Sequence, residues 1–252
     1  MKERSVLLNS ESKNGGRATA RKSRIEIIDA VRAVAIIVML FHHTMYDLKY
    51  LFNVDTGFFT YGVQHGMAMI FAPVFMLVAG ISSQLSRNNI KRGVFVLLCA
   101  MGLTLFTYIF IRSQLILFGI LHFMGISMII YGLINKYLDK LKNFQPVIYV
   151  AMFVLSDILI GKINVDYNYL FMFGISGSTF SSADYYPLLP WIFVFFIGTY
   201  IGKFIKDRRF PGWFYSVKIP VLSLIGKKSL IIYLAHQPLI YAVLLIVTRV
   251  FA

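Results

Sequence analysis

Four ionisable residues share one stripe of the first long apolar stretch: Asp29, Arg32, His43 and Asp47. At 100° per residue they fall at about 0°, 300°, 320° and 0° around a helix. Charge inside an apolar span is costly, so a set that shares a face is a functional candidate. The stripe has two ends. Asp29 and Arg32, three positions apart, can pair, and the fork of donors on Arg suits a phosphate. His43 follows about 16 Å further along the helix at 1.5 Å per residue. Asp47, one turn beyond, is spaced to orient the imidazole and stabilise its protonated form, the arrangement of a general base. His42 points about 100° away from His43 and cannot share its role. A structural reading competes: Arg32 could snorkel to the head groups with Asp29 neutralising it. The helix alone leaves both readings open.

Further polar groups lie in otherwise apolar surroundings. His65 and His122 sit about two turns inside the second and fourth apolar stretches. Asp184 and Tyr185 precede the sixth, Asp157 closes the fifth, and His236, followed by Gln237 and Pro238, interrupts the last. Singly, each reads as a helix–helix hydrogen bond. Together, His65, His122, Asp184 and His236 gather toward the His43 end and are candidates for substrate binding. No metal is expected: H-E-x-x-H is absent, and adjacent His42 and His43 cannot ligate one ion from a regular helix. There is no G-x-S-x-G elbow and no Walker loop. Cys99, the one cysteine, excludes a disulfide framework.

The elements that must position these groups follow from composition. Of 252 residues, 58% are hydrophobic and 14% charged, with a mean hydropathy of +0.71. Soluble domains carry about 25% charged residues, so this chain cannot cover a water-facing surface. About seven stretches suffice to span a bilayer: Glu26–Leu48, Phe58–Leu85, Gly93–Ile111, Leu115–Asn135, Pro146–Gly161, Pro187–Phe204 and Ser229–Phe251. The expected fold is an all-α polytopic membrane protein, a single transmembrane domain over residues 25–252 preceded by a flexible basic tail at residues 1–24. The apolar patch Tyr167–Ile175 is too short to span and reads as an interfacial or re-entrant piece.

The 25 Lys and Arg set the orientation. All but Arg32, Lys49, Arg112, Lys162 and Arg249 fall in the tail or in the 2–3, 4–5 and 6–7 connections. This predicts a cytoplasmic N-terminus and an extracytoplasmic C-terminus. The net charge of +14 therefore reflects topology and anionic membrane lipids, and no nucleic acid is expected as a partner. No internal repeat is visible, which weighs against a transporter.

The segments Arg24-Ile-Glu26-Ile-Ile-Asp29-Ala-Val-Arg32 and Phe41-His42-His43-Thr-Met-Tyr46-Asp47-Leu48 resemble the opening of bacterial members of the heparan-α-glucosaminide N-acetyltransferase family. Four further segments match in order: Phe71 to Gly80, Ile116 to Ser127, Asp184 to Trp191 and Ser229 to Pro238. The spacing from Arg32 to His43 also resembles that of the membrane acyltransferase-3 proteins. The resemblance implies a transmembrane acyltransferase. An acetyl (acyl) group would pass from cytoplasmic acetyl-CoA, as co-substrate, to an extracytoplasmic or lipid-linked sugar or glycan acceptor. On this reading His43 is the general base or a transient acyl carrier, with Asp47 orienting it, and Arg32, posed by Asp29, contacts the donor phosphates. The expected setting is the cytoplasmic (plasma) membrane, with a homodimer as the expected oligomer. The sequence departs from the family in two places. Ala33 stands where Gly is usual. The catalytic histidine proposed for the eukaryotic heparan enzyme falls near Phe59 here, which moves the role to His43 or, second, to His65, or else gives this bacterial branch a different chemistry. The alternative reading is a permease or flippase for a lipid or small anion.

Overall fold

A computed structural model describes residues 24–251; apart from Arg24, the predicted basic tail lies outside the described residues. Among those residues the chain is helical, and its one β-type contact is an isolated bridge between Phe118 and Tyr185. Five long helices come first: α1 (Glu26–Tyr50), α2 (Tyr61–Leu85), α3 (Asn89–Phe110), α4 (Ile120–Asp139) and α5 (Gln145–Ile160). They are followed by α6 (Ile192–Lys206), the short α7 (Gly212–Ser216) and α8 (Pro220–Lys227), and the long α9 (Ser229–Phe251). Polar caps mark two of the starts. Thr60 Oγ1 accepts the Val63 N–H at 3.4 Å and Asn88 Oδ1 accepts the Lys91 N–H at 2.9 Å, each satisfying a donor that helix geometry leaves free.

Six segments are long and apolar enough to cross a membrane: α1, α2, α3, α4, Lys142–Ile160 and Ser229–Arg249. Two expected spans are displaced toward the C-terminus, and the second of them is also shorter. The stretch predicted from Leu115 becomes helical only at Ile120, because Arg112–Gln114 forms a 3-10 turn and Phe118 is drawn into the bridge with Tyr185. The stretch predicted from Pro187 starts at Ile192, after the turn that carries Pro190, and runs to Lys206. Its 15 residues rise about 22 Å, short of a hydrocarbon core of about 30 Å. The Tyr167–Ile175 patch is a folded loop with a 3-10 turn at Phe171–Phe173, ended by Gly174 at φ +94°.

Outward side chains such as Leu98, Leu105 and Phe110 are exposed and apolar, as lipid contact requires. Inside, backbones approach through small residues, which matters where no hydrophobic force drives helix to helix. A Cβ added at Gly80 would stand 2.0 Å from the Phe195 carbonyl oxygen, and one at Gly198 would stand 2.1 Å from that of Leu77. These reciprocal contacts press α2 onto α6. Gly93 and Gly125 do the same for α3 and α4, each lying against the other's carbonyl oxygen. A Cβ at Gly226 would come within 1.9 Å of the Asp29 carbonyl oxygen, so α8 abuts α1 beside the polar stripe. Gly198→Ala should therefore lower stability by about 1–3 kcal/mol through overpacking. Gly102→Ala, where a Cβ meets nothing within 4 Å, should leave it unchanged or raised by about 1 kcal/mol. Thermal unfolding of the two variants in one detergent checks the contrast.

Candidate active site

At one end of the stripe the charges are matched within α1. Asp29 is buried; its carboxylate accepts from Arg24 Nε at 2.6 Å and from Arg32 Nη1 at 2.9 Å. Arg32 also donates to Ser82 Oγ on α2 and to the Gly226 carbonyl at 3.4 Å. Asp29 thus poses Arg32, and α2 and α8 complete the setting. Around these groups lies a cavity of about 260 Å³ whose lining includes Arg24, Arg32, Arg92, Lys227, Phe75 and Tyr233. Three separate segments besides α1 itself (the chain before it, the first turn of α3 and the end of α8) bring cations to it. The charge rule had assigned those segments to one face.

At the other end a cavity of about 240 Å³ is lined in part by His42, His43, Phe75, Asp184, Tyr186 and Tyr233. Phe75 and Tyr233 line both cavities, so the two spaces adjoin at this pair. Asp184 Oδ2 accepts the Tyr233 hydroxyl at 2.8 Å and the Ile120 N–H at 3.0 Å. The carboxylate thereby caps α4, where a negative charge is favoured. Gly119 is required there, since a Cβ would lie 2.2 Å from Asp184 Oδ2. Burial raises the Asp184 pKa, and those two hydrogen bonds oppose the rise. The loop carrying Asp184 is stitched to the chain before α4: Ala183 N–H donates to Leu115 O at 2.9 Å and Tyr186 N–H to Phe118 O at 3.0 Å. Residues 183–186 line the cavity, whereas the Tyr167–Ile175 loop lies behind them, tied by Tyr185 Oη to Phe171 O at 2.6 Å.

Three imidazoles cluster beside this cavity. The ring centroids of His43 and His236 are 5.0 Å apart, and those of His42 and His43 are 5.4 Å apart. His43 makes no hydrogen bond among the described residues, so its nitrogens are available to a ligand. His42 packs edge-on against Phe59 at 5.8 Å, and Phe59 is 0% exposed. The position matched to the eukaryotic family histidine therefore adjoins the imidazole pair of α1.

Other expected roles change. Asp47 is 0% exposed and its carboxylate is held by Gln237 Nε2 at 2.9 and 3.1 Å. Among the described residues it makes no hydrogen bond to His43, although one turn separates them; the polar demand of α9 captures it instead. His122 does not line either cavity. Its Nδ1 accepts the Gly119 N–H at 3.2 Å, which leaves Nε2 protonated toward Thr104 Oγ1 at 3.1 Å, so both nitrogens are used in securing the start of α4. His65 is exposed one turn after the start of α2, stacked on Tyr61 at 6.0 Å, and is not part of the cavity lining. His236 is buried one layer behind His43. The residues that sequence reasoning passed over are Phe75, Ser82, Arg92, Lys227 and Tyr233. Arg92 and Lys227 counted only as loop charges, and Tyr233 was visible only as the residue three before His236. Among the described residues no group of three or more His, Cys, Asp or Glu could hold a metal ion.

Apolar helices of spanning length around two adjoining cavities, one basic and one bearing imidazoles and a carboxylate, define a multi-pass membrane protein. Residues 24–238 match the family described as heparan-alpha-glucosaminide N-acetyltransferase, catalytic, and the chain belongs to that family. Its class is thus transmembrane acetyltransferase. No curated protein and no solved structure matches the chain.

The Asp29–Arg32 pair has side chains only 5% and 14% exposed. Removing one partner should strand the other, so Asp29→Ala is expected to cost about 3–5 kcal/mol, and Asp29→Ala with Arg32→Met clearly less. Thermal unfolding of wild type, single and double variants measures the difference.

Proposed function

We propose that the protein transfers an acetyl group from cytoplasmic acetyl-CoA, through the bundle, to an extracytoplasmic or lipid-linked sugar, with the Arg32 end facing the cytoplasm. The carrying observation is the pair of cavities that adjoin at Phe75 and Tyr233. One offers Arg24, Arg32, Arg92 and Lys227 to the phosphates of a nucleotide; the other offers His43 and Asp184 to an acceptor. A ligand with a polyanionic head and a long thin arm fits this division. The head rests among the guanidinium groups, and the arm passes Phe75 and Tyr233 to present its thioester beside His43. The guanidinium fork of Arg32 is already aimed by Asp29 and Ser82, so little ordering remains on binding.

The chemistry needs one base. A His43 ring nitrogen removes the proton from the acceptor amine or hydroxyl as that atom attacks the thioester carbonyl. The tetrahedral intermediate collapses, the carbon–sulfur bond breaks, and the imidazolium returns the proton to the departing CoA thiolate. Acetyl transfer by way of the imidazole itself uses the same position. The second oxygen of Asp184 accepts no hydrogen bond among the described residues and is suited to an acceptor hydroxyl or ammonium. The cytoplasmic membrane is the setting this direction of transfer requires.

The test uses purified protein in nanodiscs, with acetyl-CoA binding measured by calorimetry and transfer measured to a glucosamine acceptor. Arg32→Ala should weaken acetyl-CoA binding about tenfold or more, as expected for a lost hydrogen bond to a charged group. His43→Ala should bind the donor normally and lose transfer by about 10²-fold or more. Transfer at the wild-type rate by His43→Ala overturns the assignment. Absence of both binding and transfer in folded wild-type protein turns the reading to a permease or flippase.

A further inference from the structure

Asp47 was the expected partner for His43, and it is engaged elsewhere. Another group stands where such a partner is needed. His236 Nδ1 lies in hydrogen-bond contact with the carbonyl oxygen of Tyr233. A carbonyl can only accept, so Nδ1 carries the proton, and in the neutral ring Nε2 is a bare acceptor. That Nε2 is buried and has no hydrogen-bond partner among the described residues. A buried acceptor left unmade costs about 1–3 kcal/mol, which is unusual enough to need a reason. The nearest imidazole to this ring is His43, with centroids 5.0 Å apart and planes tilted by 56°.

We propose that His236 is the positioning residue for His43, its Nε2 accepting the N–H of His43 so that the other His43 nitrogen is presented to the cavity as the base. A neutral imidazole has one donor and one acceptor nitrogen, and the partner of the first decides which nitrogen is the second. The chain of contacts runs from the Tyr233 carbonyl to His236 Nδ1–H, across that ring to Nε2, and on to His43. A rotation of the His43 ring within its cavity makes the last bond. Two features hold His236 in register. Gln237, the next residue, is clamped to Asp47 of α1, which fixes α9 against the turn that carries His43. Pro238 lacks the N–H that would bond the Leu234 carbonyl, leaving the local helix ladder incomplete where His236 turns back to Tyr233. Asp47 is thus required for orienting His43, but through Gln237 and the placement of α9.

This inference rests on the reading of His43 as the reacting imidazole, and its test is chosen to be separable from that reading. His236→Gln places an amide oxygen close to the position of Nε2, whereas His236→Asn keeps polarity near Nδ1 and loses the distal acceptor. The first readout needs no acetyl transfer. It is the rate at which diethyl pyrocarbonate modifies His43, resolved by fragment mass spectrometry, with His42 as internal control. His236→Asn should slow modification of His43 several-fold while His236→Gln stays near wild type, and His42 should be unaffected in both. The second readout is turnover. His236→Asn should lower kcat about tenfold or more, with acetyl-CoA affinity and Tm retained, and His236→Gln should restore most of it. Equal His43 modification in wild type, His236→Asn and His236→Gln overturns the proposal. A modification contrast in a protein that transfers no acetyl group keeps the imidazole pairing and rejects the acetyltransfer reading instead.

Discussion

Polar groups on α1 must be satisfied in a medium that offers no water, and the rest of the architecture is arranged around that demand. The helix is held at both ends of its stripe by partners from the C-terminal part of the chain. Near its start Asp29 joins Arg24 and Arg32, while the backbone of Gly226 closes on the Asp29 carbonyl and receives Arg32. Near its far end Asp47 takes both of its contacts from Gln237 of α9. Between these clamps the helix borders both cavities and packs Ala33 and Ile36 into the core, so Arg32 and His43 keep a fixed separation of about 16 Å. A ligand that touches both must match that length.

The remaining helices supply walls and a constriction. α2 contributes Phe75 and Ser82, and is itself pinned to α6 by the glycine contacts that let their backbones meet. α9 contributes Tyr233, whose side chain reaches Asp184 while its carbonyl receives His236. One residue therefore ties the point where the cavities adjoin to the Asp184 carboxylate and to the imidazole cluster. Asp184 in turn caps α4 through Ile120, so the loop that carries it is positioned by the same bond that starts a spanning helix. Disturbing the loop therefore disturbs the bundle.

Much was legible from the chain alone. The apolar content demanded helices in a membrane, and the 3.6-residue period put Asp29, Arg32 and His43 on one stripe, because both depend only on neighbours along the sequence. The gathering of cations at one end followed from the distribution of Lys and Arg among connections, and Arg24, Arg92 and Lys227 do meet at one cavity. The family resemblance, carried by ordered segments from Arg24 to Pro238, corresponds to the matched range.

What spacing could not supply was the choice among partners. Asp47 is one turn from His43 on the same helix, yet it bonds Gln237, 190 residues away, because that amide is brought within 3 Å and competes better for a buried carboxylate. His122 is consumed by its own helix start, and His65 is left on the surface, although both carry the same ring as His43. Whether an imidazole lines a cavity, caps a helix or faces lipid depends on contacts between distant segments. Periodicity along one helix carries no record of those contacts. The sequence by itself determined the membrane, the helices and the polar stripe, since these are local properties of composition and period. Only the tertiary structure decided which polar groups remain free to act, since that is settled by competition for hydrogen bonds in a closed interior.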